Sequence, residues 1–215
     1  MKDTYRHKGM RRQLVADLRK KGIADPEVLD AMGSLPRHFF LDAAFDEWAY
    51  RDKAFPIGND QTISQPYTVA YQTELLEVEK RQKILEIGTG SGYQAAVLAM
   101  LGARVYTVER QEWLYRRARR LLQALDMQGV RCFFRDGKKG LPEHGPFDRI
   151  LVTAAAEEIP KTLCDQLCIG GILVVPVGEE EQQMYRILRL SENEFHQEKK
   201  GKFRFVPFLP GKKRI

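Results

Sequence analysis

Residues 86–93 read Glu86-Ile87-Gly88-Thr89-Gly90-Ser91-Gly92-Tyr93. Before them, Ile84-Leu85-Glu86-Ile87 is a short apolar run that the glycines stop; after them, Tyr93 to Leu101 is alanine-rich with a helical pattern. A strand, a glycine loop and a helix in that order put the loop at the carboxyl end of a strand, where open α/β sheets bind ligands. Glycine lets the backbone turn sharply and approach a ligand closely. A dinucleotide fingerprint needs G-x-G-x-x-G. Here the third glycine comes one place early and Tyr93 occupies the position a dinucleotide site would give to glycine. The loop fits an adenosine with an amino-acid tail and no pyrophosphate to cradle.

Downstream, the chain alternates. Val105–Val108 reads as a strand, 113–125 as a helix, 130–134 and 147–153 as strands, 159–168 as a helix and Ile172–Val177 as an apolar strand. Such alternation implies a parallel sheet covered on both faces. The fold expected is therefore α/β, a Rossmann-like, mainly parallel sheet with helices on both faces. After Gly178 the pattern turns strand-rich at 184–190 and 203–209, an antiparallel edge. Upstream, 10–22 reads as a helix, Asp25-Pro26 as an N-cap and first-turn proline opening a second through about Met32, and 67–79 as a third. Between them 35–66 is irregular, and a loop this long inside a compact domain is usually functional. One domain over 1–215 is expected: N-terminal helices and a site loop to 80, a donor-binding core over 81–178, and C-terminal strands beyond.

Two acids sharpen the loop's reading. Glu109 ends the strand after the glycine loop, where a carboxylate can accept hydrogen bonds from both ribose hydroxyls. Asp136-Gly137 follows the next strand, where a carboxylate or its neighbouring N–H can reach an adenine edge; alone, Asp-Gly is only a turn signal. The expected ligand contacts are Glu86, Gly88, Thr89, Gly90, Ser91, Gly92, Glu109, Asp136 and Gly137.

Composition excludes several classes. In 215 residues, 43% are hydrophobic and 30% charged, as in ordinary soluble domains. No apolar run approaches the ~20 residues of a membrane helix, and the basic N-terminus lacks an apolar signal core, so a cytoplasmic location is expected. Cys132 falls in a strand and Cys164 and Cys168 four apart on a helix; with the four histidines scattered, no metal spacing exists and no metal is expected. The net charge of +6 lies partly in Arg116, Arg117, Arg119 and Arg120. These interleave with Leu114, Ala118, Leu121, Leu122 and Leu125 as the solvated face of an amphipathic helix, so nucleic acid is not the expected partner.

The fourth strand runs into Thr153-Ala154-Ala155-Ala156, which lacks the Asn/Asp-Pro-Pro-aromatic motif that clamps an amino group, and no Pro-Cys loop is present for base C5 methylation. Gln61-Thr62-Ile63-Ser64-Gln65-Pro66-Tyr67, upstream of the glycine loop, together with Phe147-Asp148, Val152-Thr153-Ala154-Ala155, Ile159-Pro160, Gly170–Gly178 and Phe205-Val206-Pro207, resembles the protein-L-isoaspartate O-methyltransferase family from about Leu14 to Pro207. The resemblance implies S-adenosylmethionine as donor and isoaspartyl residues of damaged proteins and peptides as acceptor. It implies Ser64 as the active-site serine, Gly88 and Gly90 in the donor loop, Glu109 as the ribose acid, and Asp136 and Gly137 at adenine. A monomer with no membrane partner is expected. The chain departs from the family at Asp60, where relatives usually have glycine, and at Lys138, Lys139 and Leu141, which replace a more aromatic stretch.

The chemistry agrees. Isoaspartate exposes an α-carboxylate with a pKa near ~3.5, ionised at neutral pH, so no general base is needed; His38 and His144 are expected at the surface. The enzyme's task is positioning, which can supply roughly 7–11 kcal/mol. Ser64 can donate to that carboxylate; its other reading is as the N-cap of the following helix. A nucleic-acid or small-molecule methyltransferase on the same fold, or a non-enzymatic RNA-binding module, remain the alternatives.

Overall fold

The computed structural model describes residues 2–214. Helix α1, Tyr5–Lys20, starts earlier than its periodicity suggests because Thr4 caps it and His7 returns the bond to the Thr4 backbone. Helix α2, Pro26–Ser34, opens as expected: Asp25 accepts from the Glu27 and Val28 N–H groups, with proline in the first turn. The irregular stretch folds into 3₁₀ turns over Arg37–Phe40 and Ala43–Trp48 and a hairpin of β1, Phe55–Gly58, and β2, Gln61–Ile63. Asn59 and Asp60 at its tip both have left-handed φ, 52° and 58°. That is the geometry of a two-residue hairpin turn, and Asp tolerates it at modest strain in place of glycine. Helix α3 then spans Pro66–Leu76.

The core is a seven-stranded sheet. In chain order come β3 (Lys83–Ile87), α4 (Tyr93–Met100), β4 (Arg104–Glu109), α5 (Glu112–Ala124), β5 (Val130–Phe134), β6 (Phe147–Val152), α6 (Lys161–Cys164), β7 (Leu167–Val177), β8 (Gln182–Arg189) and β9 (Phe195–Phe203). The spatial order is β5-β4-β3-β6-β7-β8-β9. The first five of these are parallel; β8 and β9 complete an antiparallel meander. Strand order reverses between β4 and β6, on either side of β3, and the glycine loop leaves β3 at that switch point. Adjacent β3 residues go to opposite faces: Ile84 packs with Leu76, Ala95 and Leu98 from α3 and α4, and Leu85 packs with Leu141, Leu163 and Cys164 beneath α6.

Three expectations are corrected. The helix foreseen over 159–168 is only Lys161–Cys164, because Leu167 pairs with Phe147 and the chain enters β7 there. Cys168 accordingly lies in a strand. The final strand is Phe195–Phe203, not 203–209. Its polar sequence suits a sheet edge, where charged side chains discourage pairing with other chains. Pro207, lacking an N–H, makes only an isolated bridge to Ala155, and the tail crosses the carboxyl ends of the strands. Among the described residues no helix is long and apolar enough to cross a membrane.

Candidate active site

At the carboxyl end of β3, Gly88, Thr89, Gly90 and Ser91 line a cleft together with Glu109, Gly137, Thr153 and Ser64. The cleft opens to solvent, and its space is about 820 Å³ with the solvent at its mouth included. Gly88 has φ 99°, and a Cβ there would collide with the Thr153 hydroxyl. That hydroxyl donates to the Gly88 carbonyl at 2.7 Å and to Ile87 at 3.0 Å, tying the loop to the end of β6. Only glycine fits.

Glu109 is 5% exposed. One carboxylate oxygen accepts from the Gly90 N–H and the other from the Gln111 N–H, each at 2.9 Å. Burial raises its pKa, and these backbone bonds oppose the rise. Each oxygen keeps a second lone pair, so the carboxylate can still receive a diol. Ile87, Val108 and Phe208 add apolar wall, and Gly137 brings bare backbone beside them. The set fits an adenosine carrying an amino-acid tail.

The other expected contacts are not at the cleft. Glu86 is fully buried behind the loop. It accepts from Thr107 at 2.5 Å, Thr107 meets Thr89 at 2.6 Å, and burial pushes its carboxyl up to about 8. Gly92 packs against Leu122 and Ala118. Asp136 caps its own turn through the Lys138 N–H and holds the tail through the Gly211 N–H. Only Gly137 of that pair reaches the cleft.

Ser64 lies where this cleft meets a second cavity; Thr62, Thr153 and Val206 share both walls with it. The capping alternative fails. Helix α3 has Gln65 at its N-cap position with no side-chain cap bond from it. Asp52 does the work instead, accepting from the Tyr67 N–H at 2.8 Å and from Gln65 at 3.1 Å. Burial disfavours the Asp52 charge, yet Lys21 and these bonds hold its pKa below the usual value. Arg37, 0% exposed, donates to the Ser64 carbonyl at 2.9 Å and to Ala49 at 3.0 Å, with its guanidinium over the Tyr93 ring. Burial lowers its pKa to about 10, so it stays charged at neutral pH. Arg37 thus holds the Ser64 carbonyl while Asp52 holds Gln65 and Tyr67 just after it, and the Ser64 hydroxyl has no partner among the described residues.

Sequence reasoning missed Arg37 and Asp52, whose partners lie 27 and 15 positions away. It also misplaced His38, which is buried. His38 stacks on His7 at 3.8 Å, and Asp3 lies close enough that the three could offer ligands to a metal. Their lone pairs are otherwise engaged. The His7 Nδ1 accepts from the Thr4 N–H, the His38 Nδ1 from Tyr50, and Asp3 holds Arg11. On α5, Arg116 pairs with Glu112 and Arg117 donates to Ile57, so the basic stripe is partly spent within the fold.

The family model for protein-L-isoaspartate(D-aspartate) O-methyltransferase matches residues 9–213. A protein-L-isoaspartate O-methyltransferase of Christiangramia forsetii is 55% identical over 212 residues, covering 99% of this chain and 100% of that one. One of Flavobacterium johnsoniae is 57% identical with the same coverage. A solved protein-L-isoaspartate O-methyltransferase superposes with TM-score 0.84 at 29% identity, over 92% of this chain and 65% of that one. A Plasmodium falciparum structure with S-adenosyl-L-homocysteine bound, a candidate member of the same enzyme class, gives 0.82 over 93% and 98% at 24% identity, which speaks to the fold alone.

Proposed function

This chain belongs to the protein-L-isoaspartate(D-aspartate) O-methyltransferase family, and we propose on that premise how its residues divide the work. As a member it transfers the methyl group of S-adenosylmethionine to the free α-carboxylate of L-isoaspartyl residues in proteins and peptides. The ester then yields a succinimide by attack of the neighbouring backbone nitrogen, which reopens partly to normal aspartate.

S-adenosylmethionine, when bound, supplies a methyl group already activated on a sulfonium. Glu109 receives the ribose diol, Gly88 to Ser91 follow the amino-acid tail, and Gly137 and Phe208 border the adenine. Glu86, Gly92 and Asp136 act behind them by fixing the loop, the start of α4 and the tail. Ser64 donates its hydroxyl to the acceptor carboxylate. That group is ionised at neutral pH, so no base is required, and the partnered histidines supply none. The observation that carries this assignment is the Ser64 hydroxyl, unbonded at the junction of two cavities while Asp52 caps the helix in its place. The acceptor segment enters from the second cavity, and the donor occupies the first.

The test is a methyl-transfer assay with paired isoaspartyl and aspartyl peptides. The isoaspartyl peptide should be methylated and its aspartyl twin ignored, because the normal residue carries its backbone along a different path from the reacting oxygen. The product should release methanol at mildly alkaline pH, as an ester does and an N-methyl group does not. Equal methylation of both peptides overturns the acceptor assignment. The chain is taken to work as a single-domain monomer away from nucleic acid; a salt-dependent RNA shift would oppose the last point.

A further inference from the structure

The lining of the cavity on the acceptor side of Ser64 includes the aromatic rings of Tyr67, Phe203 and Phe205 and the charged side chains of Glu181, Lys202 and Arg204. Tyr67 stacks on Phe203 and on Tyr71, and the Tyr71 and Phe203 rings meet at a tilt, with ring centroids 5.3–6.4 Å apart. The charges beside this wall are unevenly matched. Lys202 lies 2.9 Å from Glu181, and farther along the edge Lys200 and Arg186 both pair with Glu198. Arg204 is exposed and has no ion pair or hydrogen bond among the described residues. It acts on Glu181 only through space: the bond to Lys202 is the main cause holding that carboxylate below its usual range, and Arg204 adds to it. With Lys202 and Glu181 cancelling, the cavity keeps one uncompensated cation in the same space as the Ser64 hydroxyl.

An isoaspartyl segment reaching Ser64 must lay its neighbouring residues along this wall. An extended chain advances about 3.3–3.6 Å per residue, so side chains within two positions of the isoaspartate reach across the cavity. A guanidinium is built to hold a carboxylate by two parallel hydrogen bonds and to repel an ammonium. We infer that Arg204 is a specificity-determining residue, selecting isoaspartyl segments that carry an acidic side chain within two positions of the damaged residue over segments that carry a basic one. This rests on the reading of Ser64 as the acceptor-side residue. Because Arg204 is exposed, the selection is modest and screened by salt.

The experiment measures kcat/KM for isoaspartyl peptides identical except for Glu, Gln or Lys one or two positions to either side of the isoaspartate. Wild type should rank Glu above Gln above Lys, each step about two- to fivefold at low salt, carried by KM and shrinking at high salt. R204Q should flatten the ranking and R204E should invert it. Arg204 supports no other residue, so both variants should fold as wild type does. The same ranking in wild type and R204E, or no ranking in wild type, overturns the inference. So does a uniform loss on all peptides in R204E, which would mean that Arg204 holds the acceptor carboxylate itself. Failure of wild type to methylate any isoaspartyl peptide would instead strike the proposed function.

Discussion

In the proposed division of work Ser64 serves the acceptor and Glu109 the donor, and their variants should separate accordingly. Ser64→Ala removes a hydrogen bond to a charged group, worth about 1.5–3 kcal/mol. Turnover should fall about ten- to hundredfold while donor affinity, read by calorimetry, holds. Unchanged turnover would leave alignment to the backbone that Arg37 and Asp52 grip. Glu109→Ala should do the reverse, weakening donor binding by about 1–3 kcal/mol, since a buried hydroxyl loses a charged acceptor; donor affinity equal to wild type would rule out the ribose role. Glu86 belongs to neither function and bears on stability. Burial raises its carboxyl to about 8, so folding favours its protonated form. The stability it gives is complete below the unfolded value near 4.5 and is lost as pH rises through about 8. Glu86→Gln should therefore flatten the decline in chemical-denaturation stability between about pH 5 and pH 9, and an unchanged decline would assign it elsewhere. The places of Gly88, Gly90 and Glu109 at the cleft were legible in the sequence because a strand–loop–helix motif fixes them locally. The role of Glu86 was not, because strand register decides that it points behind the loop.

At the scale of elements, the turn from β2 into α3 places Ser64 between the two cavities, and it depends on contacts that the local sequence does not contain. Nothing in Ile63-Ser64-Gln65-Pro66 announces that Asp52 will cap the helix, and the serine there is the better local candidate. Asp52→Ala should thus cost about 0.5–2 kcal/mol in stability, as lost caps do, with Ser64→Ala costing much less. A larger stability loss in Ser64→Ala would restore the serine as a cap. The same non-locality explains α6 and β9. Periodicity over 159–168 suggests a helix, but pairing of Leu167 with β6 takes those residues into the sheet. The polar run Phe195–Phe203 carries little strand signal, yet it completes a meander because an edge strand needs one apolar face at most. The central strands, apolar throughout and bounded by glycines or acids, were legible because both their faces are buried.

Across the whole molecule, the alternation of strands and helices pointed to a parallel sheet and its loop to the ligand end, but not to the path of the tail. After β9 the chain returns over the carboxyl ends of the strands. Phe208 donates its N–H to Ala155 and accepts none of the edge pairing foreseen for it, Gly211 is held by Asp136, and the backbones of Arg110 and Lys213 bond each other at 2.8 Å. These anchors are neighbours of Glu109, Gly137 and Thr153, so the tail is fastened to the segments that form the donor cleft, and Val206, Pro207, Phe208 and Leu209 supply part of its wall. Donor affinity should therefore depend on a residue far in sequence from the glycine loop. Phe208 is half-buried, and its ring lies 3.1 Å from where a Cβ on Gly137 would stand. Truncating it removes apolar surface from the cleft, worth about 1 kcal/mol for a partly buried ring. Phe208→Ala should lower donor affinity about fivefold, mainly through faster dissociation in stopped-flow, because the anchoring bonds of the tail are made by backbone and by Asp136. The ranking of peptides by flanking charge should persist, since Arg204 lines the other cavity. Donor affinity and release equal to wild type would mean that the tail merely covers the strand ends, and that the cleft is complete without it.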